Sequence, residues 1–471
     1  MVKVLAIDLD GTLIKNDLFH EAILLYIKKN PLNLFKVLIL LIKGKVYIKR
    51  FLAEKISFND IEIIYNRKLI SWIKEQRGMG FKTVLISGSP KKYCRQVYKQ
   101  LKIFDHFFGT AGNINMTGSI KVVTLKKFFK DAVIHYVGNA KADIQVWRKV
   151  EKGYITNSSK RFTKKMEKIF GVQPILENLD NSLKSAFKLI RFHQWLKNIL
   201  IFVPFFAAQI DFSVETIRSL FFGFLAFSLL SSAFYIINDI SDINSDRQHS
   251  VKRKRPLAST ALSLPNGILL FFCLITCFFA TIPLLPKNFL ILCLTYSVLT
   301  CVYSYWLKKV VILDCFVLSL FYMIRILGGS FLLNIEISFW LLAFSIYVFL
   351  SLGLMKRYSE ILIKEEEGET EIFGRGYRVG DKNIVLALGV ASAYSASIIL
   401  CFYINSSNVL ALYPNKEYLW IGITLIIFWL NYVWFCGSRG KISDDPVLFA
   451  IKDKVSIFVI LGSIASIALS I

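Results

Sequence analysis

From about residue 190 onward the chain is written in long apolar runs separated by short charged connections, and before that point it is not. The runs lie near 196–210, 216–238, 264–285, 288–307, 311–333, 337–355, 384–404, 418–436 and 453–471. Several approach the roughly 20 residues a helix needs to cross the hydrocarbon, so the pattern predicts nine membrane-spanning helices. The first run is short and contains Pro204, which predicts a broken or strongly tilted element. Residues 1 to about 190 read differently: short apolar strands such as "VKVLAI", "FKTVLIS" and "AVIHYV" alternate with helical stretches. That alternation predicts a doubly wound α/β domain. The resulting division is a soluble domain over 1–175, a linker over 176–190 and an all-α polytopic membrane domain over 191–471.

Composition agrees with this division. The chain is 55% hydrophobic, with 40 Phe among its 471 residues, far above soluble usage. The connections after the second, fourth, sixth and eighth runs hold the basic residues, from Lys252 and Arg253 to Arg439 and Lys441. Basic loops mark the cytoplasmic side, so the soluble domain is expected in the cytoplasm and the C-terminus across a bacterial inner membrane. No cleavable signal is read at the N-terminus. A net charge of +25 suits contact with anionic headgroups. Nucleic acid is not the expected partner, because no RNA- or DNA-binding module accompanies the charge. The eight cysteines form no CxxC pair and read as packing residues.

Three strand ends in the soluble domain carry chemistry. In "VKVLAIDLDGTLI" (2–14), Asp8 and Asp10 lie two apart after an apolar strand and point the same way. A carboxylate pair on a tight turn suits a magnesium ion and covalent phosphoryl transfer. Ser87 ends the second strand, Lys121 follows it, and Asn139 and Asp143 follow the third. These four segments, in this order, resemble the haloacid dehalogenase-like phosphatases over about residues 1–175. The resemblance implies Asp8 as nucleophile, Asp10 as general acid/base, Ser87 and Lys121 on the phosphoryl group, and Asp8, Asp10, Asn139 and Asp143 around Mg²⁺. Asn139 departs from the acidic residue that many members have there. The insertion over about 14–80 resembles a helical cap. Within it, "LFKVLILLIKGKVYIKR" (34–50) is too short to span a bilayer. The first expectation is a buried cap helix, and the alternative is an interfacial helix among headgroups.

The second long run ends in acids. Asn238, Asp242 and Asp246 are spaced i, i+4, i+8 on a helix, with Asp239 alongside. Carboxylates at the end of a membrane helix are costly unless paired or bound to a cation, and hard oxygen ligands suit Mg²⁺ shared with a diphosphate. Lys252, Arg253 and Arg255 follow at once and suit the phosphates themselves. Farther on, Asp314 and Arg325 are eleven apart and so share a helix face, where they pair with each other or with substrate. Lys197, Lys356 and Arg357 are candidates to grip a lipid phosphate. The charged loop at 365–382 reads as solvated, with Glu360 and Arg375 able to close over a bound donor.

"NDxxDxxxD" followed by "KRKRPLAS" resembles the UbiA-type intramembrane transferases over roughly 185–471. Aromatic prenyltransferases of that superfamily carry a second aspartate-rich motif after the sixth helix. Here Lys356, Arg357, Tyr358 and Glu360 stand in its place. That departure, with "QWLKNILIFVPFFA" and "LDCFVLSLFYMIRILGGS", resembles the branch that transfers 5-phosphoribose from phosphoribosyl diphosphate to a polyprenyl (decaprenyl) phosphate. The resemblance implies a bifunctional enzyme that makes a lipid-linked ribose for cell-envelope glycan. An aromatic prenyltransferase fused to a diphosphatase is the alternative. A transporter with a phosphatase domain is a third reading, although no internal repeat supports it.

Overall fold

The computed structural model describes residues 2–175, 182–249, 251–336, 338–372, 375–406, 409, 413–442 and 446–471. Most of the expected linker's first half and part of the 365–382 loop (Phe373, Gly374) lie outside the described residues. The chain divides into two compact units. One comprises Met1–Ile190 with Tyr235–Phe272, the other Arg191–Phe234 with Cys273–Ile471.

The first unit is built on a six-stranded parallel sheet. Its strands are β1 (Lys3–Ile7), β2 (Lys82–Pro90), β3 (His106–Thr110), β4 (Val133–Gly138), β5 (Lys152–Ile155) and β6 (Gln173–Pro174). Their order is β3-β2-β1-β4-β5-β6. Strand alternation divides the apolar residues between two faces. Leu5, Ile7, Leu85 and Val137 bury into one cluster, and Val4, Ala6, Val84, Ile134 and Tyr136 into the other. Burial on both faces accounts for the near-continuous apolar strands. Ile7 is paired with Leu85 on one side and Val137 on the other. β1 and β4 therefore end within a residue of each other while β2 runs on to Pro90, and the topological switch point lies between β1 and β4.

Between β1 and β2 come helices α1 (Leu18–Lys29), α2 (Asn33–Ile42) and α3 (Lys45–Lys55), then the helix Arg67–Gly78. Asp17 caps α1 by accepting hydrogen bonds from the Phe19 and His20 amides. The expectation that α2 is a buried cap helix is corrected by the structure. Only Val37 is buried in it, while Phe35, Ile39 and Ile42 stand 64%, 58% and 87% exposed. An apolar run reads the same whether its face meets a protein core or the outside, and this one meets the outside.

The same unit contains the stretch after the second apolar run. The helix Val214–Ser241 ends there, followed by a short helix, Ile243–Gln248, and a turn of 3-10 helix at Lys252–Lys254. The Arg247 side chain is buried against the helical insertion between β1 and β2, where a cap was expected. Its Nη2 lies 2.6 Å from Glu21 Oε1, its Nη1 donates to the Glu62 carbonyl at 2.9 Å, and its Nε donates to the Ala258 carbonyl at 3.2 Å.

Among the described residues, seven helices are long and apolar enough to cross a membrane: Val214–Ser241, Leu264–Leu284, Lys287–Tyr305, Leu313–Leu333, Phe339–Glu366, Val379–Ile404 and Lys416–Ser438. The nine predicted spans are thus seven long helices and two shorter elements. The first predicted span is a 3-10 segment, Phe192–Phe202, followed by a short helix, Val203–Ala207, with Pro204 in its first turn. Lys197 and Asn198 turn inward there, and the last predicted span is the helix Lys454–Ser470.

Small residues permit the close approaches in the second unit, as is usual for membrane helices. A Cβ at Gly329 would lie 2.0 Å from the Ile201 carbonyl oxygen, so the broken first element rests directly on the helix Leu313–Leu333. A Cβ at Gly389 would meet the Trp434 ring at 2.1 Å.

The Arg247–Glu21 pair yields a stability prediction. Arg247→Ala leaves Glu21 buried without its counter-ion, which costs about 3–5 kcal/mol. Thermal unfolding and limited proteolysis of the full chain in detergent should show the first unit opening earlier than in wild type. Indistinguishable profiles would show that the pair does not hold the cap.

Candidate functional site

The first unit gathers its candidate residues at the carboxyl ends of β1, β2 and β4, with Lys121 supplied by the helix Ser119–Phe128. Asp8 follows β1 and is 8% exposed. Its Oδ1 accepts from Lys121 Nζ at 2.8 Å, and Asp143 Oδ1 lies 3.4 Å from the same ammonium. Asp143 is held in place by the Asn139 and Ala140 amides on its other oxygen, at 3.0 and 3.1 Å. Asp10 sits one turn over: Oδ2 accepts from Ser87 Oγ at 3.0 Å and Ser89 Oγ at 2.7 Å, and Oδ1 from the Leu18 amide at 2.9 Å. Gly11 takes φ +72° and a Cβ there would sit 2.1 Å from the Asn139 amide nitrogen, so the turn must be glycine for Asn139 to close on it.

Burial pushes the Asp8 carboxyl up to about 7, Lys121 opposing and the Asp143 and Asp10 charges adding. Burial likewise raises Asp10, helped by Asp17 and opposed by its hydroxyl donors. Burial pulls Lys121 down, but Asp8 and Asp143 outweigh it and hold the ammonium above its ordinary value. The result is a fixed cation between two carboxylates, beside a third carboxylate that faces two hydroxyls. The set holds more carboxylates than cations, the hard oxygen donor chemistry that a divalent cation takes.

Three contributors were missed by the sequence reading. Tyr136 OH donates to Asp143 Oδ1 at 2.5 Å and accepts from Lys121 at 2.7 Å. Ser89 lies two residues beyond Ser87, so the period of a strand placed both on one face. Lys49, from α3, donates to the Gly88 carbonyl at 2.6 Å, and burial lowers its ammonium. A cleft of about 220 Å³ opens beside it, with Arg50, Lys91 and Lys92 in its wall.

The acidic motif after the second run closes on one of its own basic residues. Asp239 Oδ1 and Asp246 Oδ2 lie 3.1 and 2.7 Å from Arg255 Nη1. Asn238 Nδ2 donates to Asp242 Oδ2 at 3.1 Å. The i, i+4, i+8 face is therefore split: Asn238 engages Asp242, while Asp246 turns to Arg255 with Asp239. Burial raises the Asp246 carboxyl, and Arg255 opposes that shift. Lys252 and Arg253 are exposed. Among the described residues no group of three or more His, Cys, Asp or Glu side chains surrounds a common metal position. Two carboxylate oxygens that already converge on one cationic atom are nevertheless the hard donor chemistry that Mg²⁺ takes.

In the second unit Asp314 and Arg325 share a helix, but each has other partners. Asp314 Oδ2 lies 3.0 Å from Arg357 Nε, and Tyr377 OH donates to Oδ1 at 2.7 Å. Arg325 Nε donates to Asn198 Oδ1 at 2.7 Å, and its guanidinium carbon lies 5.1 Å from the centre of the Phe227 ring. Arg357 is fully buried and also pairs with Glu360. Among the described residues its Nη2 meets no acceptor, so this guanidinium retains donor capacity. Arg375 Nη1 donates to Tyr303 OH at 3.0 Å. Lys197 is buried with its ammonium 5.6 Å from the Tyr322 ring centre. Lys356 is half-buried and Tyr358 is buried beside Trp434. The sequence reading missed Asn198 and Tyr377, whose partners lie more than sixty residues away.

Comparison with known proteins adds four findings. The profile of the UbiA prenyltransferase family matches residues 199–452. The protein y4nM of Sinorhizobium fredii is 33% identical over 455 residues, which is 96% of this chain and 88% of that one, so the match runs through both halves. The decaprenyl-phosphate phosphoribosyltransferase of Mycolicibacterium smegmatis is 26% identical over 312 residues, 64% of this chain and 96% of that one. Among solved structures, a UbiA homolog from Archaeoglobus fulgidus bound to GPP and Mg²⁺ covers 60% of this chain and 99% of its own. It does so at 16% identity and a TM-score of 0.46.

The buried Asp314 cluster can be tested by stability. Asp314→Ala leaves a guanidinium underpaired inside a helix bundle and should cost about 3–5 kcal/mol. Tyr377→Phe removes one buried donor and should cost about 1–3 kcal/mol. Thermal unfolding of the two variants in detergent should rank them in that order. A reversed ranking would place the stabilising weight on Tyr377 instead of the ion pair.

Proposed function

The chain belongs to the UbiA prenyltransferase family, and on that premise we propose that it is a two-part enzyme of lipid-linked sugar synthesis in a bacterial inner membrane. The membrane part transfers 5-phosphoribose from phosphoribosyl diphosphate to a polyprenyl phosphate. The N-terminal domain, which resembles the haloacid dehalogenase-like phosphatases, then removes the 5-phosphate. The observation that carries the choice of donor is the buried Arg357. A guanidinium paired with Asp314 and holding a spare donor stands where the aromatic branch would carry carboxylates for a second metal. A buried cation there favours a phosphate group of the substrate. The Mycolicibacterium smegmatis relative, named for that same transfer, supports the reading.

In the transfer, an oxygen of the lipid phosphate attacks the anomeric carbon and the bond to diphosphate breaks, the electron pair leaving with diphosphate. Asp239, Asp242 and Asp246, with Asn238, would hold Mg²⁺. Bound there, the ion would supply charge neutralisation to the leaving diphosphate. Lys252, Arg253 and Arg255 would bind the phosphates, and no protein nucleophile is required. In the hydrolysis, Asp8 attacks phosphorus while Asp10 gives a proton to the departing sugar oxygen. Asp10 then takes a proton from the water that opens the aspartyl phosphate. Ser87 would bind the phosphoryl oxygens and Lys121 would offset their charge. Asp8, Asp10, Asn139 and Asp143 would offer oxygens to a second Mg²⁺.

Membranes given labelled phosphoribosyl diphosphate and polyprenyl phosphate should carry label into the organic phase. Asp239→Asn should reduce that label about 100-fold or more and leave hydrolysis of a small phosphate ester by the first unit intact. Transfer of a prenyl diphosphate to 4-hydroxybenzoate, with no label from the ribose donor, would replace this reading with the aromatic one. Asp8→Asn should accumulate the 5-phosphorylated lipid product, whereas wild type yields the dephosphorylated one. Identical phosphorylated products from both would separate the phosphatase from this pathway.

A further inference from the structure

Helix α2 presents an apolar face that the first unit leaves uncovered. Leu34, Phe35, Leu38, Ile39, Leu41 and Ile42 are each at least 42% exposed. At about 100° per residue these six side chains fill one arc of roughly 160°. Val37 and Leu40, on the opposite side, are its inward-facing residues. The surroundings have one sign of charge. From Ala22 to Ala53 the chain holds seven basic residues, among them Lys36, Lys43 and Lys45, and no acidic one.

The position of α2 is fixed from its beginning. Lys28 Nζ, at the end of α1, donates to the carbonyl of Ser241 at 2.9 Å. Ser241 is the last residue of Val214–Ser241, one of the helices long and apolar enough to cross a membrane. Asn33 Nδ2 donates to the Tyr26 carbonyl at 2.9 Å and ties the first turn of α2 to the last turns of α1. Five residues separate Lys28 from Asn33, and at about 3.6 Å each they reach at most roughly 18 Å. The start of α2 is thus held near the C-terminal end of that helix.

We propose that α2 lies in the surface of an anionic bilayer, its apolar face among the upper acyl chains and its lysines at the phosphates. An interfacial helix has this character: too short to span, apolar on one side and basic at its edges. A second copy of the chain could cover the same face only by bringing two sets of these seven cations together. An anionic surface attracts them. Docking also sets what the phosphatase pocket sees. α3 follows α2 through Gly44 and carries Lys49 to the Gly88 carbonyl beside Ser87. On that docking the cleft beside Lys49, lined by Arg50, Lys91, Lys92 and Glu54, opens at headgroup level, and the substrate of the neighbouring phosphatase site is a phosphate monoester on a lipid that stays in the membrane. This last step rests on the phosphatase reading; the docking itself does not.

The test uses the full chain in lipid nanodiscs, with an environment-sensitive fluorescent amino acid at position 39. In discs containing phosphatidylglycerol, acyl-brominated lipid should quench the probe and aqueous iodide should not. Lys36→Gln with Lys43→Gln and Lys45→Gln should shift the balance back toward iodide. Quenching by iodide alone in wild type would overturn the proposal. Protection from both quenchers that vanishes in discs holding a single chain would also overturn it, in favour of a second copy. For the substrate, Phe35→Glu with Ile39→Glu and Ile42→Glu should leave hydrolysis of p-nitrophenyl phosphate unchanged. The same variant should slow hydrolysis of the lipid-linked phosphosugar by about ten-fold or more. Equal loss on both substrates would overturn the selective role of α2. If wild type hydrolyses no lipid-linked substrate while the lipid quenching stands, the docking is supported and the phosphatase reading fails separately.

Discussion

A charge withdrawn from water must meet its opposite, and three buried cations of this chain show how much of the structure follows from that. Lys121 stands between Asp8 and Asp143, Arg247 against Glu21, and Arg357 against Asp314. In each case the partners come from distant parts of the sequence, so the pair can form only when the surrounding elements are in place. Such pairs add little net stability compared with apolar packing, but breaking one is expensive. They therefore select among arrangements more than they deepen any one of them. The sheet brings Lys121 to Asp8, the cap brings Glu21 to Arg247, and two helices of the second unit bring Asp314 to Arg357.

The three pairs differ in what they leave available. Lys121 donates to two carboxylates and a phenol, so its ammonium is saturated and acts as a fixed positive charge. Arg247 spends its donors on Glu21 and two backbone carbonyls, which makes it a structural tie between the acidic-motif stretch and the cap. Among the described residues Arg357 Nη2 meets no acceptor, and Nε faces Asp314 Oδ2 at 3.0 Å without a hydrogen bond. A buried donor in that condition costs about 1–3 kcal/mol, a cost that an incoming phosphate oxygen would offset. Position and remaining hydrogen-bonding capacity, more than charge alone, distinguish a binding residue from a scaffold residue.

How much of this was legible in the sequence depended on the range over which each feature is determined. Asp8, Asp10, Ser87 and Asp143 stood out because strand ends carry short local patterns, and Lys121 by its place in the order of segments. The ladders bring the carboxyl ends of those strands together, and the helix Ser119–Phe128 carries Lys121 to them. Ser89 was equally legible by its two-residue offset from Ser87, whereas Tyr136 lies inside an apolar strand and reads as core. For Asp314 and Arg325, helical phase indicates a common face but is silent about which other helix supplies the partner. Arg357 and Asn198 are set by tertiary packing, beyond the reach of periodicity. The exposed face of α2 was legible only as one of two alternatives, for a different reason. Hydrophobicity records that a side chain avoids water, without recording whether protein or lipid replaces it.

Arg255 joins the electrostatics of the acidic motif to its chemistry. Without a ligand, Asp239 and Asp246 would repel each other at the end of an apolar helix, and Arg255 removes that repulsion by touching both. The same guanidinium belongs to the basic run that follows the motif, where phosphate is the natural partner. Its two roles exclude each other in space but not in sequence. If another cation took the carboxylates, Arg255 would be free to turn toward an anion. A motif of acids followed closely by bases is then more than two binding elements in series. Each half neutralises the other while the site waits, so neither has to be stored as an unpaired charge beside the membrane.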